Sequence, residues 1–208
     1  MNHSTTTWSL PRALSFLLFV VGLVGVVSLP GCQSYDQLVE KDELCGQRWA
    51  DYEAQLQRRY DLVPNLVSVV KGSAKHEAET LTKVTEARAS ATQIKLTGDD
   101  FTDPAKMAAF QKAQEGLKGS LSRLLVANEQ YPDLKANQSF RDLQVQLEGT
   151  ENRILRSREQ YNEAVKQYNS ELKKIRGQAI NKATGKPFKE RVYFTASAES
   201  QAAPKVAF

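Results

Sequence analysis

Apolar residues recur at steps of three and four along most of this chain, a rhythm that an amphipathic helix buries on one face. From Leu38 the stripe passes through Cys45, Trp49, Tyr52, Leu56, Tyr60, Val63, Val67 and Val70. It resumes over about residues 74–95 with Leu81, Val84, Ala91 and Ile94, and again with Met107, Phe110, Gln114, Leu117, Leu121 and Leu124. The longest stripe holds Phe140, Leu143, Leu147, Thr150, Ile154, Ser157, Tyr161, Val165, Tyr168, Leu172 and Ile175. As one helix it would span roughly 55 Å. No segment alternates with period two for long enough to make a sheet. Four helices with short connections predict an all-α, antiparallel up-and-down four-helix bundle.

The punctuation fits this reading. Asp103-Pro104 supplies an N-cap residue followed by proline at the first helical position. Residues 97–103 and 131–137 read as loops. The turn between the first two helices has two candidate places. Pro64 has no N–H for the carbonyl of Tyr60 and would end or kink a helix. Lys71-Gly72-Ser73 offers a glycine for the C′ position and a serine for the next N-cap. The spacing favours the second, with Pro64 as a kink, and leaves the first open. The pattern stops after Arg176. Residues 177–208 are polar and basic with a short apolar island at Val192-Tyr193-Phe194, and Thr195 to Pro204 is expected to be mobile. The chain thus divides into residues 1–31 as a targeting segment, 32–176 as the helical body and 177–208 as a tail.

The first 12 residues carry Arg12 as their only fixed side-chain charge, and from Ala13 to Leu29 the chain is apolar apart from Ser15 and Ser28. A charged start, an apolar middle and a small residue before a cut describe a secretory signal peptide. Leu29-Pro30-Gly31-Cys32 resembles the lipobox of bacterial lipoproteins, which makes Cys32 the candidate lipidation site. Two or three acyl chains would hold the protein stably. The rival is an uncleaved span, since 17 largely apolar residues reach the short limit for crossing a bilayer. Both readings make the membrane a partner through the N-terminus and place the body outside the cytoplasm, facing the periplasm or the cell surface. Few residues separate Cys32 from the first helical stripe, so the body is expected to sit against the membrane.

Charge and residue chemistry narrow the function. The net charge is +4, and basic and acidic residues alternate instead of clustering, which argues against nucleic acid. Cys45 falls on an inward face and reads as a small buried hydrophobe. Di-metal helical sites use Glu-x-x-His, but His76 has Ser73 three residues before it, and the other histidine, His3, lies in the targeting segment. His76 beside Glu77 reads as a capping or solvated residue. No glycine-rich phosphate loop, nucleophile elbow or Ser/His/Asp set is visible. The expectation is no metal, no cofactor and no catalytic residue.

Some polar residues exceed what a plain bundle needs. Arg58, Arg59, Asp61 and Asn65 surround Tyr60 and Pro64, while Gly149, Glu151 and Asn152 interrupt the longest stripe, followed by Arg158, Asn162 and Asn169. Asparagine and glycine are poor helix formers. One reading is interhelical polar links that fix register; the other is a polar groove where a partner peptide or helix docks.

These stretches resemble the LemA family. The resemblance lies in Arg58–Gly72 (RRYDLVPNLVSVVKG), His76-Glu77, Tyr131–Asn137 (YPDLKAN) and Leu147–Ile154 (LEGTENRI). It extends to Arg158 with Tyr161-Asn162, Tyr168-Asn169, Tyr193-Phe194 and Pro204-Lys205-Val206, and runs from about Tyr35 onward. It implies a four-helix antiparallel bundle behind an N-terminal membrane anchor, and says little about chemistry. The chain departs from the family in its lipobox-like end, where members commonly carry a transmembrane helix, and in lacking the usual proline near Ile175-Arg176-Gly177. The expected function is a non-catalytic scaffold or protein-binding module that serves other envelope proteins. The alternatives are a structural envelope spacer, or a hydrolase or metal enzyme.

Overall fold

A computed structural model describes residues 12–73, 78–127, 131–185 and 188–195, with side chains from residue 35 onward. His76, the stretch expected to be mobile apart from its first residue, Thr195, and the side chain of Cys32 therefore lie outside what is described. The structure is all-helical, with no strand among the described residues. Its helices are α1 (Arg12–Ser73), α2 (Ala78–Gln93), α3 (Pro104–Ala127), α4 (Pro132–Ala136), α5 (Gln138–Lys173) and α6 (Ile175–Thr184), with a 3-10 turn at Gly98–Thr102.

The stripes are where the helices bury their side chains. Leu38, Cys45, Trp49, Tyr52, Leu56, Tyr60, Val63 and Val70 of α1 share one core with Leu81, Val84 and Ala91 of α2, the whole predicted face of α3, and the α5 residues from Phe140 to Leu172. Trp49 is the hub. Its ring lies 5.4 Å from Tyr161, 5.3 Å from Phe110 and 4.8 Å from Phe101, tying α1 to α5, α3 and the 3-10 turn. Because Trp49 meets Tyr161 while Arg59 meets Glu151, α1 and α5 run antiparallel. α2 packs mainly on α3. Asp103 Oδ1 accepts from the backbone N–H of Ala105 at 2.8 Å and so caps α3, with Pro104 inside the first turn, as the sequence suggests.

Several boundaries differ from expectation. The longest helix is α1, at 62 residues, because the N-terminal run and the first body helix are continuous. That helix passes through Pro64, so the first candidate place does not end it; Lys71, Gly72 and Ser73 are its last residues, and α2 begins at Ala78. Gly149 does not break α5, which is continuous over 36 residues. α5 does end two residues early: Lys174 is extended at φ −63, ψ 150, which redirects the chain and leaves Ile175 87% exposed instead of in the seam. The expected 131–137 loop contains the short α4, and Asn137 caps α5 by accepting from Phe140 N.

The stretch after Arg176 packs more than its polarity suggests. Gly177 is buried where α6 turns back against α5, and a Cβ there would overlap the carbonyl oxygens of Glu171 and Leu172. Gly185, at φ +63, ends α6 in the left-handed region that glycine adopts without strain. Residues 188–195 then form an extended strap along α5. Phe194 is 5% exposed and stacks on Trp49. Three asparagine side chains hold the strap's backbone through paired hydrogen bonds: Asn181 to Phe188, Asn169 to Arg191 and Asn162 to Phe194. Asn162 and Asn169 are two helical turns apart, roughly 10.5 Å, and three extended residues cover roughly 10 Å, so the two spacings match.

Candidate functional site: a polar groove over a buried arginine

Arg59 sits three residues after Leu56 and four before Val63, so helical geometry aims it inward although its chemistry points outward. It is 2% exposed. Its Nη1 donates to Glu151 Oε1 at 3.1 Å and its Nη2 donates to Gln114 Oε1. Gln114 Nε2 donates to the Tyr60 hydroxyl at 2.7 Å, and that hydroxyl donates to the carbonyl of Ala91 at 3.2 Å. Arg88 Nε donates to the carbonyl of Tyr60 at 2.9 Å. This connected set joins α1, α2, α3 and α5. Burial pushes the Tyr60 pKa up, partly offset by the hydrogen bond to Gln114 and by Arg59.

Above this set the seam between α3 and α5 is open among the described residues. The strap bridges its lower half, where Val192 N–H donates to Phe101 O at 2.8 Å and Thr195 Oγ1 donates to Gln111 Oε1 at 3.3 Å. Beyond Thr195 lies a cleft of about 550 Å³. Tyr52, Ile154, Leu155 and Phe194 form its apolar walls, and Arg59, Glu115, Lys118, Glu151 and Arg158 its charged ones. A second hollow of about 300 Å³ shares Lys118, Ser122 and Glu151 with the first and continues to Leu121, Leu125, Leu147 and Asn152. Together they make a groove with an apolar floor and charges of both signs. Leu155 stands 50% exposed on its wall. Gln111 Nε2 is buried beside the groove without a hydrogen-bond partner among the described residues.

The residues singled out from sequence that are described divide four ways. Arg59, Glu151, Asn152 and Arg158 line the groove. Asn162 is a strap clamp, with Arg158 stacked over Phe194 at 5.9 Å. Arg58, Asp61 and Asn65 are exposed and line neither hollow; Asp61 accepts from Gln57 Nε2 at 2.7 Å along its own helix. Tyr131 is half-buried against the core next to α4. Gln114 and Asn169 matter more than the sequence indicated. Gln114 sat on a core stripe, and a polar residue at a buried helical position was the available signal.

A second polar pocket lies near the start of the body. Arg191 of the strap contacts Asp42 of α1, with Nη2 to Oδ1 at 2.8 Å. Burial disfavours the Arg191 charge, but Asp42 outweighs it and leaves the guanidinium pKa above its usual value. The neighbouring Cys45 is fully buried, and burial pushes its thiol up to about 11. It is a packed hydrophobe at neutral pH. No group of three or more His, Cys, Asp or Glu side chains placed to hold a metal ion occurs among the described residues.

Fold and site together define an all-helical protein whose long helices are pinned by one buried arginine network and strapped across one seam. The chain belongs to the LemA family, whose profile matches residues 48–208. No curated protein matches it.

Proposed function

We propose that this protein is a membrane-anchored, extracytoplasmic, non-catalytic binding module of the bacterial envelope: a four-helix, up-and-down bundle that presents the α3/α5 groove to a segment of another envelope protein. The observation that carries the reading is the half-strapped seam. An extended segment already fills one half, held by hydrogen bonds to its backbone and by a buried aromatic ring, and the other half offers similar walls that no described residue covers. Apolar walls with a few placed polar groups are the chemistry of peptide grooves.

The anchoring part rests on the run Ala13–Leu29 and the lipobox-like Cys32. Among the described residues no helix is long and apolar enough to cross a membrane, and the side chains of that run lie outside them. Cys32→Ser should abolish lipid labelling if Cys32 carries the lipid; unchanged labelling rejects that anchor. For the groove, a photocrosslinking residue in place of Leu155 should capture one discrete envelope protein in intact cells. Ser122→Trp, which fills the groove, should abolish the adduct, and Arg58→Ala, outside it, should not. Diffuse adducts, or an adduct insensitive to Ser122→Trp, would favour a spacer that makes no specific contact.

A further inference from the structure

The exposed surface of this protein carries an apolar side chain ringed by cations at the start of α6. Ile175 is 87% exposed, the largest exposure among the exposed large hydrophobic residues described, and Lys173, Lys174 and Arg176 beside it in sequence are exposed as well. Lys182 is exposed further along the same helix. Lys173 and Lys174 form ion pairs with Glu190 and Glu171, yet each keeps more than half of its side chain in solvent. Neither Arg176 nor Lys182 has an ion-pair partner among the described residues.

The position of this patch on the molecule gives it meaning. Tyr35, the first described side chain of α1, packs against Phe188, the first residue of the strap that follows α6, and Asp42 holds Arg191 a few residues on. Asn181 of α6 grips the backbone of Phe188. α6 is therefore fastened to the end of the body from which the N-terminal apolar run leads away. Because α1 is one helix through that junction, no flexible linker separates the two.

We infer that α6, through Ile175 inserted among Arg176, Lys182 and the flanking lysines, rests on an anionic lipid surface and orients the body on the membrane. The inference rests on the anchoring reading above. Lysine and arginine let their stems lie in the interface while their charges meet lipid phosphates, and a single large aliphatic group between them enters the acyl boundary. Each cation near an anionic surface is worth roughly a fivefold factor in binding. Such a patch is too weak to recruit a free protein and is sufficient for one already tethered, because attachment raises its local concentration. Asp36, Glu40 and Glu43 are exposed on α1 near the same end. They would be repelled by anionic lipid, so the contact favours the α6 side and sets a direction of lean.

The test uses the full chain in nanodiscs of phosphatidylcholine, with or without phosphatidylglycerol. A photocrosslinking residue replaces Ile175, or Val145 at the far end of α5 as the control. Lipid adducts are then read by mass. We expect adducts at 175 that increase with phosphatidylglycerol, few at 145, and a roughly fivefold loss for each of Arg176→Gln and Lys182→Gln. Equal adducts at 175 and 145, or equal adducts in the two lipid mixtures, would overturn the inference. Flotation of the unmodified chain with neutral vesicles separates the two levels. A chain that does not float defeats the anchoring reading, and one that floats without adducts at 175 defeats this inference alone.

Discussion

The Nε–H of Arg88 reaches the backbone carbonyl of Tyr60 at 2.9 Å, the carbonyl that Pro64 leaves without an intrahelical donor. A proline inside a helix removes one hydrogen bond and exposes one acceptor. Here the gap lies on the side of α1 facing α2, and an arginine from α2 fills it. The apparent defect becomes a link between two helices.

That link predicts coupling. Arg88→Ala should destabilise the protein by about 1 kcal/mol while Pro64 is present. In a Pro64→Ala background the new N–H can satisfy Tyr60, and the same change should have almost no effect. A double-mutant cycle by urea unfolding measures the difference; additive effects would show that Arg88 does not serve the proline's vacancy.

The strap should depend on donors and acceptors together. Asn162 Nδ2 donates to Phe194 O and Asn162 Oδ1 accepts from Phe194 N, both at 2.9 Å. Asn162→Ala should cost about 1–3 kcal/mol and raise hydrogen exchange at the Phe194 amide. Asn162→Asp should be no better, because a carboxylate cannot donate to the carbonyl. Full stability in the aspartate variant would contradict the clamp.

The Arg59–Glu151 pair is asymmetric, with side chains 2% and 22% exposed. Glu151→Ala strands a buried cation and should cost about 2–3 kcal/mol. Arg59→Met leaves a carboxylate that water can reach, and the Tyr60 hydroxyl, 3.0 Å from Gln114 Oε1, can turn its proton there from the Ala91 carbonyl, which keeps Gln114 Nε2 as a donor at 3.1 Å. Its effect should be about 1 kcal/mol or less. Thermal unfolding of the two variants in that order of stability supports the network as drawn, and the reverse order refutes it.

Alkali should unfold the protein through groups that burial keeps protonated. Burial pushes Tyr161 from 10.0 up to about 12 and Cys45 from 9.0 up to about 11, and it raises Tyr52, Tyr60 and Tyr168. Between the ordinary and the raised values the unfolded chain has lost protons that the folded chain retains. Stability is therefore full below about pH 9 and falls as pH rises toward 12, by roughly 1.4 kcal/mol per pH unit for each proton retained. Tyrosinate absorbance should rise together with loss of helical ellipticity. Ionisation of the buried tyrosines with the helix signal intact would contradict their burial.

Trp49→Ala should cost about 3–5 kcal/mol, since the indole contacts aromatic rings from α3, α5, the 3-10 turn and the strap. Chemical denaturation measures it, and a loss below about 1 kcal/mol would remove Trp49 from the centre of the core.

Helix class and inward faces were legible because spacing in sequence maps onto rotation about one axis, a local property. Met107, Phe110, Gln114, Leu117, Leu121 and Leu124 are all buried on that ground alone. Arg59 follows the same geometry, but the choice between an interhelical link and a groove residue needs Glu151, 92 residues away, which only the fold brings beside it. The groove was legible as a concentration of unusual polar residues, of which Arg59, Glu151, Asn152 and Arg158 gather there while Arg58, Asp61 and Asn65 do not.

Rotation per residue and the cap at Asp103 are properties of neighbours along the chain, so the sequence alone determined that this protein is helical and where most of its stripes face. Which seam stays open, which carbonyl Arg88 finds and where residues 188–195 lie were decided only by tertiary structure. Those outcomes depend on distances between segments far apart in sequence, and the polar strap gives no periodic signal because asparagine side chains, not its own apolar pattern, hold its backbone.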